Sequence, residues 1–364
     1  MKKIIIFLVL FLIPSFSVQA IIDEEYQYDI YRARVLEVEK FTMVEDGQER
    51  VWQEAEIEIL NRDYRGVQTT ITNHLTGDVR YDMPLQEGTT ISVHYEEDSF
   101  YFIGYDNMNA MLMLLLIFLV CVILIGGMKG LKSLLALCIT LSLIVFIMIP
   151  LLLQGISPIL ASILVCTIAT VITFFIIAGI NKKTISATIG TSGGLVLGGL
   201  IAYIFGIVAR LSGFSSPDAS MLLYLPDAIA FDFRGLLFAG IIIGALGAAM
   251  DVAISIASSL TELQRENPNI SAKNMIKAGF NIGHDIMGTM INTLVLAYAG
   301  GALTMLLLFV GFGTSFHHIV NLDFFATEVV RAVAGSIGLL FAIPITIAAF
   351  VTIPWKERSE HEKN

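Results

Sequence analysis

Residues 235–257 read GLLFAGIIIGALGAAMDVAISIA and contain a single charged side chain, Asp251. An apolar run of this length can cross the hydrocarbon core of a bilayer as one helix, which takes about 20 residues. The composition agrees, because 55% of the residues are hydrophobic and 15% are charged. We therefore predict an α-helical integral membrane protein. Seven such runs predict seven transmembrane helices, over residues 109–127, 133–153, 157–180, 186–210, 235–257, 285–311 and 331–353.

Residues 1–20 have the layout of a signal peptide. Lys2 and Lys3 precede an apolar segment, and Val18 and Ala20 supply small side chains before a cut after Ala20. If the segment is not cleaved, it is an N-terminal anchor. In either case residue 21 is expected on the extracytoplasmic side.

Residues 21–107 do not have a helical pattern. Side chains alternate between apolar and polar over 31–39 and 51–59, and Asp46-Gly47 between them is a strong hairpin signal. Five or six short strands predict a small all-β barrel, OB-like or SH3-like. The segment has 20 acidic and 7 basic residues, so nucleic acid is not an expected partner. The remaining strand candidates are 67–72, 79–83, 89–94 and 100–105.

Basic residues predict the topology. Positive charge concentrates on the cytoplasmic side of membrane proteins. With the β domain (21–107) outside, the outer connections and helix ends of the membrane domain hold three basic residues, and the inner segments hold ten. The membrane domain is then 108–355, and the tail 356–364 is cytoplasmic, in a bacterial plasma membrane. The outer residues are Arg210, Arg234 and Arg331; the inner ones are Lys129, Lys132, Lys182, Lys183, Arg265, Lys273, Lys277, Lys356, Arg358 and Lys363.

Small residues recur at every fourth position in the fourth and fifth predicted helices. The fourth has Gly190, Gly194 and Gly198, and the fifth has Gly240, Gly244 and Ala248. Such spacing lets two helix backbones approach closely. We predict a tight contact between these two helices, or alternatively a thin wall beside a permeation path.

Two local features follow further along the chain. Ser271 is a predicted N-cap for a short helix over 272–278, lying on the membrane surface or docked on a partner, that ends at Gly279. Pro344 is predicted to kink the last helix, since proline removes a backbone donor.

A set of polar side chains occupies the fifth and sixth predicted helices. An ionised carboxylate within a membrane costs several kcal/mol, so such residues mark a pathway, a proton relay or a tight internal pair. We expect Asp251 near Asn292 or Thr293, and Glu262 near His284 and Asp285. A structural hydrogen-bond cluster, a cation or proton site and a catalytic site all remain open. The set is Asp251, Ser255, Ser258, Ser259, Glu262, His284, Asp285, Thr289, Asn292 and Thr293.

Enzyme motifs are not found. Asp285 follows Gly283-His284 and Asp251 follows Met250, so neither has the Gly-x-Gly-Asp context of intramembrane aspartyl proteases. The sequence has no His-Glu-x-x-His, Gly-x-Ser-x-Gly or P-loop motif. The three cysteines lie in apolar runs and form no CxxC pair. We predict no cofactor and no metal. His317 and His318 are predicted to lie in a solvated loop.

Two long motifs resemble the YibE/F-like family of bacterial multi-pass membrane proteins. They are GALGAAMDVAISIASSL at 244–260 and GHDIMGTMINTLVLAY at 283–298. The resemblance covers roughly 110–355, and the acidic β domain also looks like that of the longer members. The resemblance implies the architecture of a multi-pass membrane protein and says little about its mechanism.

The polar set makes a transporter or permease the leading hypothesis. Asp251 would bind a small cation or a proton, Asn292 and Thr293 would supply neutral ligands, and Glu262 and Asp285 would form the cytoplasmic mouth. The alternative is a non-transporting scaffold that binds an envelope partner through its β domain. The expected partners are the lipid bilayer and either a second copy of the chain or an envelope protein.

Overall fold

The computed structural model describes residues 29–45, 48–78, 80–224 and 231–354. The chain divides into two compact units at Ile125 and Gly126. The predicted signal segment 1–20, the predicted turn at Asp46-Gly47 and the tail 356–364 lie outside the described residues.

The N-terminal unit contains one antiparallel five-stranded sheet of half-barrel form, with strand order β3-β2-β1-β4-β5. Its all-β character is confirmed. Alternate residues such as Ala33, Ile57 and Ile91 are buried, while the opposite face is polar. The strands are β1 (Ile30–Glu45), β2 (Gln48–Ile59), β3 (Gln68–Leu75), β4 (Thr90–Glu96) and β5 (Ser99–Tyr105).

The strand predicted over 79–83 is wrong over its described residues, 80–83, which form a turn and a loop. Asp82 accepts hydrogen bonds from the backbone N–H groups of Thr76 and Gly77, at 2.6 and 2.8 Å, and Asp78 accepts one from the N–H of Arg80 at 3.0 Å. These local bonds hold the segment as a loop, because short acidic side chains compete with strand ladders for backbone donors.

The rest of the described chain is helical. Its helices are α1 (Met108–Leu143), α2 (Ile149–Leu153), α3 (Pro158–Ala178), α4 (Lys182–Val208), α5 (Pro217–Met221), α6 (Phe233–Glu266), α7 (Ala272–Gly301), α8 (Leu303–Gly311), α9 (Phe316–Val320) and α10 (Asp323–Thr352). Five helical segments in the described residues are long and apolar enough to cross a membrane, or six if α7 and α8 form one bent span.

The first of these segments, Met108–Leu153, is 46 residues long and contains the first two predicted helices. Its residues would give roughly 69 Å of helix at 1.5 Å per residue, more than twice the hydrocarbon core of about 30 Å. Gly127 interrupts it with φ 52° and ψ −134°, outside helical geometry. Two crossings need a turn near this glycine, so the count of seven stays a prediction.

The boundaries predicted near Gly279 and residue 285 are wrong. One helix, α7, runs from Ala272 to Gly301 and then bends by 61° into α8. Gly279 is buried, and a Cβ placed on it would lie 2.8 Å from Ile347 Cγ1 of α10. The predicted cap is confirmed, because the Asn274 N–H donates to Ser271 Oγ at 3.3 Å.

The predicted contact between α4 and α6 is present, but the glycine stripe of α4, formed by Gly190, Gly194 and Gly198, packs on α10 instead. A Cβ on Gly194 would lie 2.6 Å from the Gly338 carbonyl oxygen, and one on Gly198 would lie 3.0 Å from Gly338 Cα. Small residues in α10 supply the complementary surface, which allows the two backbones to meet. Contact between α4 and α6 uses other glycines, with Gly199 against Ile242. Pro344 lies within α10, which continues to Thr352.

Candidate functional site

The apolar and polar residues of α6 separate onto two faces. Val252, Ala253, Ile256, Ala257 and Leu260 are buried in the core of the helical unit. On the opposite face Asp251, Ser259 and Glu262 are exposed, and Ser255 and Ser258 are half-buried. The predicted shared face is therefore present. Together with three exposed glycines it forms what we call the outward stripe of α6: Gly240, Gly244, Gly247, Asp251, Ser255, Ser258, Ser259 and Glu262.

The α7 helix is arranged in the same way. Its buried residues include Met275, Gly283 and Leu294, and a Cβ on Gly283 would lie 2.5 Å from Ile343 Cγ2 of α10. The apolar face of α7 thus packs against α10. The predicted polar residues of this helix are all exposed: His284, Asp285, Thr289, Asn292 and Thr293.

The predicted hydrogen bonds between the two helices do not form among the described residues. Thr293 Oγ1 donates to the Thr289 carbonyl at 2.9 Å, and Ser259 Oγ donates to the Ser255 carbonyl at 3.0 Å. Glu262 pairs with Arg265 of its own helix at 3.2 Å. Each polar group is satisfied locally or faces outward, so no hydrogen bond joins the two polar faces in the described residues, and a site between the two helices stays a prediction.

A second polar group, which the sequence pattern did not reveal, joins α7 to α10. Arg331 Nη1 lies 3.4 Å from Glu328 Oε1, and its guanidinium carbon lies 5.9 Å from the centre of the Tyr298 ring. The Tyr298 hydroxyl rests on Gly244, where a Cβ would lie only 2.4 Å from it. The sequence contained one indication of this group, because Glu328 and Arg331 are opposite charges three residues apart at the start of an apolar helix.

Metal-binding geometry is not found in the described part of the chain, where no group of three or more His, Cys, Asp or Glu side chains is placed to hold an ion. His317 and His318 belong to the short helix α9. Cys138 and Cys166 are buried, and Cys121 is exposed.

Several long apolar helices with polar residues on their faces define a multi-pass membrane protein. Residues 114–355 match the family described as YibE/F-like protein, and because the match spans more than half of the sequence, the chain belongs to that family. The resemblance predicted from the two motifs is thereby confirmed. No curated protein and no solved structure matches the chain.

Proposed function

We propose that this protein is a transporter or permease of the bacterial plasma membrane, with its pathway along the outward stripe of α6 and the polar face of α7. The observation that carries the proposal is Asp251, an exposed carboxylate halfway along a helix apolar enough to cross a membrane. A carboxylate that faces lipid at this depth costs several kcal/mol. Water or protein must therefore cover this face.

The stripe extends over most of the length of α6. Asp251 lies about 16 Å from Glu262, at 1.5 Å per residue, so the two carboxylates occupy different depths. Gly240, Gly244 and Gly247 continue the stripe beyond Asp251 and present backbone instead of side chains. A cation or proton passing along it meets carboxylate and hydroxyl oxygens, then the open backbone at Gly247 and Gly240, with the Tyr298 hydroxyl over Gly244 between them.

In this proposal Asp251 binds the cation or proton, and Asn292 and Thr293 of α7 supply neutral oxygens from the neighbouring helix. Glu262 and Asp285 form the cytoplasmic mouth. Since the described residues of one copy leave this face open, a second copy supplies the other wall. Symmetric copies in one membrane present the same residues at the same depth.

The arrangement of the N-terminal unit is part of the same proposal. Its strand order, with β1 between β2 and β4, suits a five-stranded, partly open barrel of the OB type. We place the β domain (21–107) outside the membrane, the tail 356–364 in the cytoplasm, and seven spans between them, in agreement with the distribution of basic residues.

Accessibility of the stripe to water tests the proposal. In a variant with Cys121, Cys138 and Cys166 replaced by alanine, new cysteines at Ser255 and Ser258 should react with a charged methanethiosulfonate in membrane vesicles. Ala257→Cys, on the buried face of α6, should not react.

The decisive control is Leu200→Cys, at an exposed apolar position of α4 that faces lipid in this proposal. If Ser255→Cys reacts no faster than Leu200→Cys, the stripe faces lipid and the pathway is refuted.

The function of Asp251 is tested by Asp251→Asn. Asparagine nearly matches the shape of aspartate and lacks the titratable charge, so transport should be lost while abundance and thermal stability stay normal. Thr261→Ala, on the same helix but off the stripe and bonded only to its own helix, is the matched control and should retain transport. Normal transport by Asp251→Asn would contradict the assignment of Asp251.

One observation favours the scaffold as a second candidate. Glu37 lies opposite Glu56, and Glu39 opposite Glu54, on neighbouring strands of the sheet. Like charges placed opposite each other destabilise a sheet, and a basic partner would relieve the repulsion. A scaffold predicts that Glu39→Lys combined with Glu54→Lys abolishes the cellular phenotype while Asp251→Asn leaves it intact, the reverse of the result expected for a transporter.

A further inference from the structure

The Tyr298 side chain reaches from α7 onto the outward stripe of α6. Its hydroxyl lies against Gly244, where an added Cβ would overlap it, so glycine is the residue that leaves room for the hydroxyl at this position. The stripe glycines on either side, Gly240 and Gly247, would meet nothing within 4 Å of an added Cβ in the described residues. Tyr298 therefore covers the stripe at one turn of α6 and leaves the turns before and after it open.

Weak contacts hold the Tyr298 ring in this position. The guanidinium carbon of Arg331 lies 5.9 Å from the ring centre, close to the limit of a cation–π contact, and Arg331 itself is held by Glu328 at 3.4 Å. The Tyr298 hydroxyl is buried and has no hydrogen-bond partner in the described residues. A buried hydroxyl without a partner is less stable than one that is bonded, so no hydrogen bond ties the ring to the stripe.

A cavity of about 160 Å³ lies beside the ring. Tyr298 lines it together with Val295, Ala299 and Ala302, which follow one face of α7, and Phe325 of α10 contributes to its wall. An apolar cavity of about this size in another protein accommodates a benzene molecule, so the volume is sufficient for a phenol ring. Because side chains exchange between discrete rotamers, the Tyr298 ring has a second position available without a shift of either helix.

We propose that Tyr298 gates the pathway along the outward stripe, closing it at Gly244 and opening it when the ring turns into the cavity. This inference rests on the proposed function, because it requires the stripe to be a pathway. Gly244 precedes Asp251 by seven residues, about 10 Å along α6 and away from Glu262. The gate thus stands between Asp251 and the end of α6 that we place outside. Arg331 is a positioning residue that holds the ring in the closed position.

Two cysteine reporters on either side of Gly244 test the gate in the full chain without its native cysteines. A charged methanethiosulfonate is added to the outside of right-side-out membrane vesicles, and the rate of reaction is measured. Gly240→Cys, on the outer side of the gate, should react at the same rate with or without Tyr298. Gly247→Cys, on the inner side, should react slowly while Tyr298 is present. It should react about tenfold faster in combination with Tyr298→Ala, a ratio that corresponds to one cation–π contact.

Two further variants should move the ring in opposite directions. Gly244→Ala places a Cβ where the hydroxyl lies, so it should displace the ring into the cavity and raise the reactivity of Gly247→Cys. Ala299→Leu should fill the cavity and keep the ring on the stripe, so it should lower that reactivity. Ala297→Leu, at an exposed position of the same helix that does not line the cavity, is the matched control and should leave it unchanged.

Failure of the gate and failure of the pathway give different results. If Tyr298→Ala leaves Gly247→Cys unchanged, or raises Gly240→Cys equally, while Ser255→Cys still reacts from the cytoplasmic side, the gate is overturned and the proposed function stands. If Ser255→Cys reacts from neither side, both are overturned. Should Gly244→Ala fail to fold, Tyr298→Ala still decides, because it removes the ring and adds no atoms to the contact between the helices.

Discussion

Gly194→Ala should destabilise the helical unit by forcing α4 and α10 apart. The added Cβ would lie 2.6 Å from the Gly338 carbonyl oxygen and 2.9 Å from Ala342 Cβ. Carbon atoms pack best at about 3.5–4.0 Å, so α10 must retreat by roughly 0.5–1 Å. Overpacking of this kind costs about 1–3 kcal/mol, and the better helix propensity of alanine returns at most about 1 kcal/mol. We expect a net loss of about 1–2 kcal/mol.

The assay is thermal unfolding of the purified protein in detergent, where the loss should lower the midpoint by several degrees. Two other glycines serve as graded controls. Gly199→Ala meets only the flexible end of the Ile242 side chain, at 2.8 Å, and should cost less. Gly240→Ala meets nothing within 4 Å and should be neutral or slightly stabilising. If all three variants unfold at the same temperature, α4 and α10 do not form the close contact, and the reasoning fails.

Three further predictions concern the ends of the chain and the sheet. Tags placed after Glu45 and after Asn364 should report opposite sides of the membrane; tags on one side would contradict the topology. Residues 23–105 expressed alone should be soluble and rich in strand by circular dichroism, and a helical spectrum would refute the domain assignment. The N–H of Thr76 holds the pKa of the Asp82 carboxyl below its ordinary value, so the stability it contributes is present above the unfolded pKa and is lost as pH falls through the lowered one. Asp82→Asn should therefore reduce the loss of thermal stability of this domain between about pH 7 and about pH 3, and an unchanged acid response would contradict this role.

Periodicity predicted which residues share a helix face, but not which neighbour each face meets. Asp251 and Glu262 do lie on one face of α6, as the spacing of about one turn required. From the sequence we predicted that the polar face of α6 meets α7, because the two helices are adjacent in the chain. Instead α6 and α7 place their apolar sides in the core with α10, so their polar sides face outward. The partner of a face depends on the packing of a distant helix, which a local pattern does not contain.

The glycines of α4 illustrate the same limit. Four-residue spacing correctly indicated a close helix contact at Gly194, and both α6 and α10 carry small residues that could meet it. Only the structure shows that Gly338 lies opposite. Strands were easier to predict, since alternation fixes both the face and the approximate ends. The exception at 79–83 arose where Asp78 and Asp82 captured the local backbone donors.

The uneven faces of α7 have a consequence for biogenesis. By length and hydropathy α6 and α10 could each cross a membrane alone. The α7 helix meets the same conditions only together with α8. Insertion machinery reads hydrophobicity one segment at a time. Since α7 is synthesised before α10, the helix that covers its apolar side, we expect α7 to insert stably only after α10 has been synthesised. A chain that terminates before Asp323 would then release α6 into the bilayer with α7 still outside it.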